Sequence, residues 1–254
     1  MLFIKQIKLI SSLQKKKYRD QNQLFIAEGD KLVMDLLHAN TEAAFLIHTK
    51  EWKNLSSLLN HFKIEKRIEV DANQIKKLSS LKTPSPIIGV FRMPQFEIKD
   101  EVIRNSLSLL LDDIQDPGNL GTIIRIADWF GIQHIFCSNN TVDLYNPKVI
   151  QATMGAISRV KISYTPLLDL IQKYQNNDFS VYGTFLEGEN IYQSKLQHKG
   201  FIIMGNEGKG ISPDLQELVS KKLFIPNYPI DQATSESLNV SVACSIICSE
   251  FRRR

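Results

Sequence analysis

An α/β protein in two parts, the second built on a mainly parallel sheet, is the fold class that this 254-residue sequence predicts. Two observations predict it. Short apolar runs alternate with helical patterns along most of the chain, which is the signature of βαβ units. A polar stretch at 91–106, FRMPQFEIKDEVIRNS, carries Pro94 and follows the turn-rich KTPSPIIG at 82–89. It separates two such alternating regions and predicts domains at about 1–95 and 107–254.

In the first region, residues 23–27 read as a short strand and 29–39 as a helix with apolar spacing. Residues 44–48 (AFLIH) read as a buried strand and 53–62 as a further helix. The expectation is a small α/β sandwich. In the second region, strands are predicted at 107–111, 134–137, 160–164, 179–185, 201–204 and 222–225. Helical patterns fall at 120–130, 147–156, 167–174 and 213–220, and a last helix runs from about 237 to 251. This alternation implies parallel strands with helices on both faces.

Composition narrows the class. Hydrophobic residues make up 43% of the chain and aromatics 9%, an ordinary globular balance. No uncharged apolar run approaches the ~18 residues that a membrane span needs. The N-terminus, MLFIKQIKLISSLQKKKYR, interrupts its apolar residues with lysine and has no small-residue cleavage site, against a secretory signal. Cys137, Cys244 and Cys248 form no CxxC pair, which points to a reducing cytoplasm rather than a disulfide scaffold or zinc site. The histidines (His38, His48, His61, His134, His198) share no ligand spacing, so no metal is expected. Charge is uneven. Residues 1–95 hold 16 Lys/Arg against 9 Asp/Glu, whereas the remainder holds 15 against 18. A basic N-terminal part suits a polyanionic partner, or is simply a lysine-rich solvated surface.

In open parallel sheets, ligands bind beyond the carboxyl ends of the strands. Three such places are polar or glycine-rich. The first is LLLDDIQDPGNLGTIIRIADWFGI at 109–132, where Pro117-Gly118 makes a turn, Asn119 is placed to cap the next helix and Arg125 follows six residues later. Asn119 and Arg125 then line one edge, with the arginine set to grip a phosphate; the alternative is a plain turn with a surface arginine. The second is FIIMGNEGKGIS at 201–212, with Gly205, Gly208 and Gly210 around Glu207. It is neither a Walker A loop nor a dinucleotide fingerprint, since its order is G-x-x-G-x-G. The third is LFIPNYPIDQATSESLNVSVACSIICSEFRRR at 223–254. Capping explains Ser235 or Ser237 there, but leaves Asn239 unexplained in the first turn of an otherwise apolar helix.

The strings D-P-G-N-L-G-T-I-I-R, I-M-G-N-E-G-K-G-I and I-P-N followed by S-L-N-V-S-V-A, in this order, resemble the three signature motifs of the SpoU-TrmH family of RNA ribose 2′-O-methyltransferases. The similarity covers about residues 107–252. The N-terminal stretch, with KKKYR and LFIAEGDKLVMDLL, resembles the family's accessory RNA-binding domain, which is like a small ribosomal protein. The resemblance implies a C-terminal trefoil knot, S-adenosylmethionine as cofactor, and a homodimer with sites at the subunit interface. Carried over, the cofactor contacts would be Gly205, Asn206, Glu207, Gly208, Gly210, Ile225, Leu238, Thr184 and Leu186. Arg125, Asn119, Glu207, Ser237 and Asn239 match the catalytic positions. One departure is the stretch NYPIDQATSE between Pro226 and Ser237, longer than the family's compact version.

Methyl transfer to a ribose hydroxyl asks chiefly for alignment, worth roughly 7–11 kcal/mol. A guanidinium keeps its proton, so Arg125 is expected to bind phosphate and stabilise a developing alkoxide rather than act as base. Lys15, Lys16, Lys17 and Arg19 form the sharpest basic cluster, with Tyr18 among them to stack on a base, and are expected to contact RNA. By analogy with ribosome-directed relatives, 23S ribosomal RNA is the expected substrate. Transfer RNA and a non-catalytic RNA-binding role stand as alternatives. A nucleotide-dependent oxidoreductase fails for want of the glycine fingerprint.

Overall fold

The computed structural model describes residues 4–52, 58–176, 178–229 and 235–253. The expected helix at 53–62 lies partly outside these residues; its described end is a short 3-10 turn, Leu58–His61. The chain forms two compact units. One comprises Met1–Phe96 with Asp143–Arg159, the other Glu97–Val142 with Val160–Arg254.

In the first unit, helices α1 (Ile4–Ser12) and α2 (Lys16–Asn22) precede β1 (Leu24–Glu28) and α3 (Asp30–His38). Then follow β2 (Ala43–Thr49), β3 (Arg67–Val70), α4 (Ala72–Leu78) and β4 (Ile87–Arg92). The sheet order is β1-β4-β2-β3, antiparallel except for the β2–β3 pair. All of β1 is buried, and its alternation sorts the side chains onto two cores. Leu24 and Ile26 pack with Ile10 of α1, Leu13 just after it, and Ile75 and Leu78 of α4. Phe25 and Ala27 face Leu32, Val33, Leu36 and Leu37 of α3. The expected sandwich is present. The expected linker is shorter than 91–106, because β4 runs to Arg92 and a helix begins at Asp100. In the sequence the preceding proline-rich turn hides the strand IIGVFR; glycine suits position 89 because a Cβ there would meet the Phe91 ring at 2.3 Å.

In the second unit, α5 (Asp100–Arg104), β5 (Leu107–Leu111), α6 (Pro117–Trp129) and β6 (His134–Cys137) come first. The chain then supplies α7 (Pro147–Thr153) to the first unit, where Tyr145 and Ile150 join the Phe25 core. It returns with β7 (Lys161–Tyr164), α8 (Leu167–Tyr174), β8 (Val181–Phe185) and β9 (Glu189–Asn190). It closes with β10 (Gly200–Met204), α9 (Pro213–Gln216), β11 (Lys221–Phe224) and α10 (Val240–Arg253). The seven strands are parallel throughout, in the order β7-β6-β5-β10-β8-β11-β9. β5 and β10 are buried along their whole length, as central parallel strands must be. Phe201 anchors one face, with Phe136, Tyr174 and Phe179 around it at 6.2, 5.9 and 4.8 Å between centroids. The other face carries α10, whose Phe251 meets Tyr182 edge-on at 4.9 Å.

Near the end of α10 the exposed Arg252 donates to the Phe130 and Gly131 carbonyls at 2.7 and 3.2 Å, at the end of α6. Arg19, expected to meet RNA, is only 3% exposed. It donates to the Leu13 and Gln14 carbonyls and pairs with Asp143. Position 19 falls on the inner face of α2, so the charge that looked free in sequence ties the α1–α2 turn to the Asp143 segment.

Two predictions follow from these buried groups. Arg19→Met strands Asp143 against a removed partner and lowers the unfolding free energy by about 3 kcal/mol. A combined Arg19→Met, Asp143→Leu variant recovers most of that loss in urea unfolding. His134 is 2% exposed, its Nδ1 has no hydrogen-bond partner among the described residues, and burial followed by the Lys161 charge holds its pKa below the usual 6.5. The unfolded chain therefore takes up this proton first, so stability falls as pH drops below 6.5 and until folded His134 itself titrates. His134→Leu flattens the wild-type curve in that window.

Candidate functional site

The site lies beyond the carboxyl ends of β5, β10, β8 and β11. Past β5, the backbone N–H of Asp112 still bonds the Met204 carbonyl at 3.0 Å, and the Asp112 carboxylate accepts the Ser212 N–H at 2.7 Å. The two strand ends are thus held together. α6 is capped by Asp116, whose carboxylate accepts the Asn119 N–H at 2.8 Å, with Pro117 in the first turn. The cap is therefore Asp116 and not Asn119, which leaves the Asn119 side chain to reach across the sheet edge.

After β10 the chain makes a closed loop. Asn206 and Gly210 exchange backbone hydrogen bonds at 3.0 and 2.9 Å. The Asn206 side-chain oxygen accepts the Gly208 and Lys209 N–H groups, and its amide donates to the Asp113 carbonyl at 2.8 Å. A Cβ at Gly205 would lie 2.4 Å from the Gly210 and Ile211 backbone, and Gly210 has φ +71°, so neither position has room or conformation for a side chain.

α10 begins at Val240, later than the expected 237, because Asn239 is its cap. The Asn239 Oδ1 accepts the Ser241 N–H at 2.9 Å and the Ser241 hydroxyl at 2.6 Å. This places Asn239 before the helix rather than inside its first turn. Its remaining Nδ2 donates to Asn119 Oδ1 at 3.0 Å, and Asn119 Nδ2 donates to Glu207 Oε1 at 2.8 Å. Each amide in the chain has one orientation only. The cap consumes the oxygen of Asn239, so Asn239 must donate; Asn119 must then accept, and present its own donor to a carboxylate.

Beside this chain of bonds opens a cleft of about 1060 Å³. All nine residues expected to hold a cofactor line it: Thr184, Leu186, Gly205, Asn206, Glu207, Gly208, Gly210, Ile225 and Leu238. Ser237 lines it as well. Asn119 and Asn239 do not, and reach it through Glu207. Arg125 is exposed on α6 and is not part of the lining. Six residues past Asn119, it sits about 120° around the helix from it, so the two do not share an edge. The sequence reading missed Glu187, Lys209, Tyr228, Ala243 and Ile247 in the lining. The first three sit in loops next to expected residues, but the last two are brought in by the packing of α10. Among the described residues no group of three His, Cys, Asp or Glu side chains is placed to hold a metal, and no helix is long and apolar enough to cross a membrane.

The sequence model of the SpoU rRNA methylase family matches residues 106–249, the stretch that contains all three loops. The chain belongs to this family. Residues 5–89 match a second description, the MRM3-like substrate binding domain. Among curated relatives of this SpoU protein, the 23S rRNA (guanosine(2553)-2′-O)-methyltransferase RlmP of Bacillus subtilis is 30% identical, with 94% of this chain and 93% of RlmP covered. A TrmH-family protein from Porphyromonas gingivalis superposes with TM-score 0.87 at 36% identity, over 100% of this chain and 99% of that one. The AdoMet-bound rRNA methyltransferase from Sinorhizobium meliloti superposes at 0.83 with 26% identity, over 100% and 97%.

Cap and relay use different atoms of Asn239, so mutation separates them. Asn239→Ala loses both and lowers the unfolding free energy by about 1 kcal/mol. Asn239→Asp keeps the cap and the stability but turns an acceptor toward Asn119. Methyl transfer by either variant falls about tenfold in kcat/KM, the worth of one hydrogen bond of about 1.4 kcal/mol.

Proposed function

We propose that this chain transfers a methyl group from S-adenosylmethionine to a ribose 2′-hydroxyl of ribosomal RNA, with 23S RNA as the substrate. The observation that carries the reading is the cleft itself, lined by loops of the second and third motifs, with Asn119 of the first motif bonded to Glu207 and Asn239 beside it. The kinship to RlmP supports the choice of RNA, and the AdoMet-bound neighbour supports the cofactor.

The residues fit such a cofactor. The loop from Gly205 to Gly210 has backbone bare of side chains at Gly205, Gly208 and Gly210, suited to close approach by a ligand. Leu186, Ile225 and Leu238 supply apolar surface for a flat adenine. Glu187, Glu207 and Glu236 against Lys209 leave the lining net acidic, which suits a sulfonium and an ammonium. S-adenosylmethionine, when bound, supplies the electrophilic methyl group.

In this reading Thr184 holds the β10 edge through the Ile203 carbonyl, Glu207 is oriented by Asn119, and Ser237 faces the target ribose. Arg125, exposed on α6 outside the lining, grips the phosphate next to the target ribose with its planar fork. Lys15, Lys17 and Tyr18, all exposed, meet the RNA further off, while Lys16 is paired with Asp20 at 2.7 Å. The reading carries with it a homodimer with sites at the subunit interface, a C-terminal trefoil knot and a cytoplasmic setting.

The test is transfer of labelled methyl from S-adenosylmethionine to total RNA from cells lacking the gene, with wild type, Arg125→Ala and Arg125→Lys in parallel. Wild type is expected to place label as 2′-O-methyl ribose in 23S RNA, and both variants to lose at least tenfold in rate, since an ammonium lacks the fork. Label confined to transfer RNA overturns the substrate, and near-normal turnover by Arg125→Lys removes the bidentate role. Cofactor binding without transfer to any RNA points to a non-catalytic relative.

A further inference from the structure

Three large apolar side chains stand exposed at the rim of the cleft: Leu186 at 70%, Tyr228 at 72% and Leu238 at 49%. The aromatic residues of the lining are Phe185, Phe224 and Tyr228, and of these only Tyr228 is exposed. Tyr228 follows the Ile225-Pro226-Asn227 exit from β11 and is the second residue of the stretch NYPIDQATSE. Among the described residues its hydroxyl has no hydrogen-bond partner, so the ring is the part with work left to do.

The chemistry says what else must enter. The cleft, of about 1060 Å³, is open to solvent at its rim. Transfer requires the ribose oxygen to come within about 3–3.5 Å of the methyl carbon. The target nucleotide therefore enters the same cleft, and its base is left at the rim. A base lifted from an RNA stack loses stacking that an exposed aromatic face restores, at about 1–3 kcal/mol per base.

We propose that Tyr228 is the stacking platform for the base of the target nucleotide, a substrate-positioning residue set at the mouth of the cleft. The proposal rests on the methyl-transfer reading above. The contact is made by the ring and not the hydroxyl, so Tyr228→Phe works as wild type does. Because a π-face is common to all bases, the residue contributes affinity and placement rather than choice of base.

The experiment compares wild type, Tyr228→Phe, Tyr228→Leu and Tyr228→Ala as full chains. It measures S-adenosylmethionine affinity, methyl transfer to ribosomal RNA from cells lacking the gene, and equilibrium binding of that RNA in the presence of S-adenosylhomocysteine. Tyr228→Ala is expected to raise the KM and Kd for RNA about tenfold with cofactor affinity unchanged; Tyr228→Leu falls between, and Tyr228→Phe matches wild type. An unchanged RNA Kd in Tyr228→Ala overturns the proposal. So does a matching loss of cofactor affinity, which would put the ring over the cofactor instead. If wild type transfers no methyl to RNA, the functional reading fails, and the RNA-binding arm still decides whether Tyr228 holds a base.

Discussion

Asn239 has one side-chain oxygen and spends it on the backbone at the start of α10. The chain of side-chain bonds that joins the three motifs is aligned by that commitment. With its oxygen committed, the amide nitrogen must donate, Asn119 must accept, and the second amide must point a donor at Glu207. The direction of the chain is thus set by an ordinary helix cap, and the helix stays in place because Val240, Cys244, Ile247 and Phe251 are buried on its inner face. The polar site is therefore no more ordered than the apolar packing of the last helix.

The parallel sheet supplies the other half of the arrangement. β10 lies between β5 and β8, and β11 pairs on the far side of β8, so loops from distant parts of the sequence leave the same edge. Asp112 reinforces this by carrying its strand's hydrogen bonding past β5 and holding Ser212 with its carboxylate. Buried polar groups elsewhere obey the same economy. In the first unit Glu28 is 3% exposed and accepts from the Ser80 N–H at 2.8 Å and from the Ser79 and Ser80 hydroxyls. Arg19 is likewise paired internally, with Asp143 and two backbone carbonyls, although its Nε has no partner among the described residues. Partners for the charge are what make such burial tolerable.

Much of this was legible in the sequence, for identifiable reasons. β5, LSLLL, is an unbroken apolar run, which is how a strand buried on both faces must read. The residues of 201–212 announced a tight loop through their glycines, and two of these prove sterically obligatory. Local competition hid other features. Asp116 and Asn119 are both good capping residues three positions apart, and only the folded hydrogen bond tells which one caps. Lys15, Lys17 and Arg19 carry the same charge within five residues, but the helical turn sends one of them inward.

The sequence by itself determined the alternation of strands and helices, the boundaries of most central elements, the loops that carry chemistry and the kinship of the chain. These are encoded in local periodicity and short motifs, which need no knowledge of distant neighbours. The tertiary structure decided that Asp143–Arg159 packs with the first unit, that α10 contributes Ala243 and Ile247 to the cleft, and that three motifs share one chain of hydrogen bonds. Each of these depends on which side chains meet across more than fifty residues of sequence. That is fixed by strand order and by the satisfaction of buried polar groups, neither of which any local window contains.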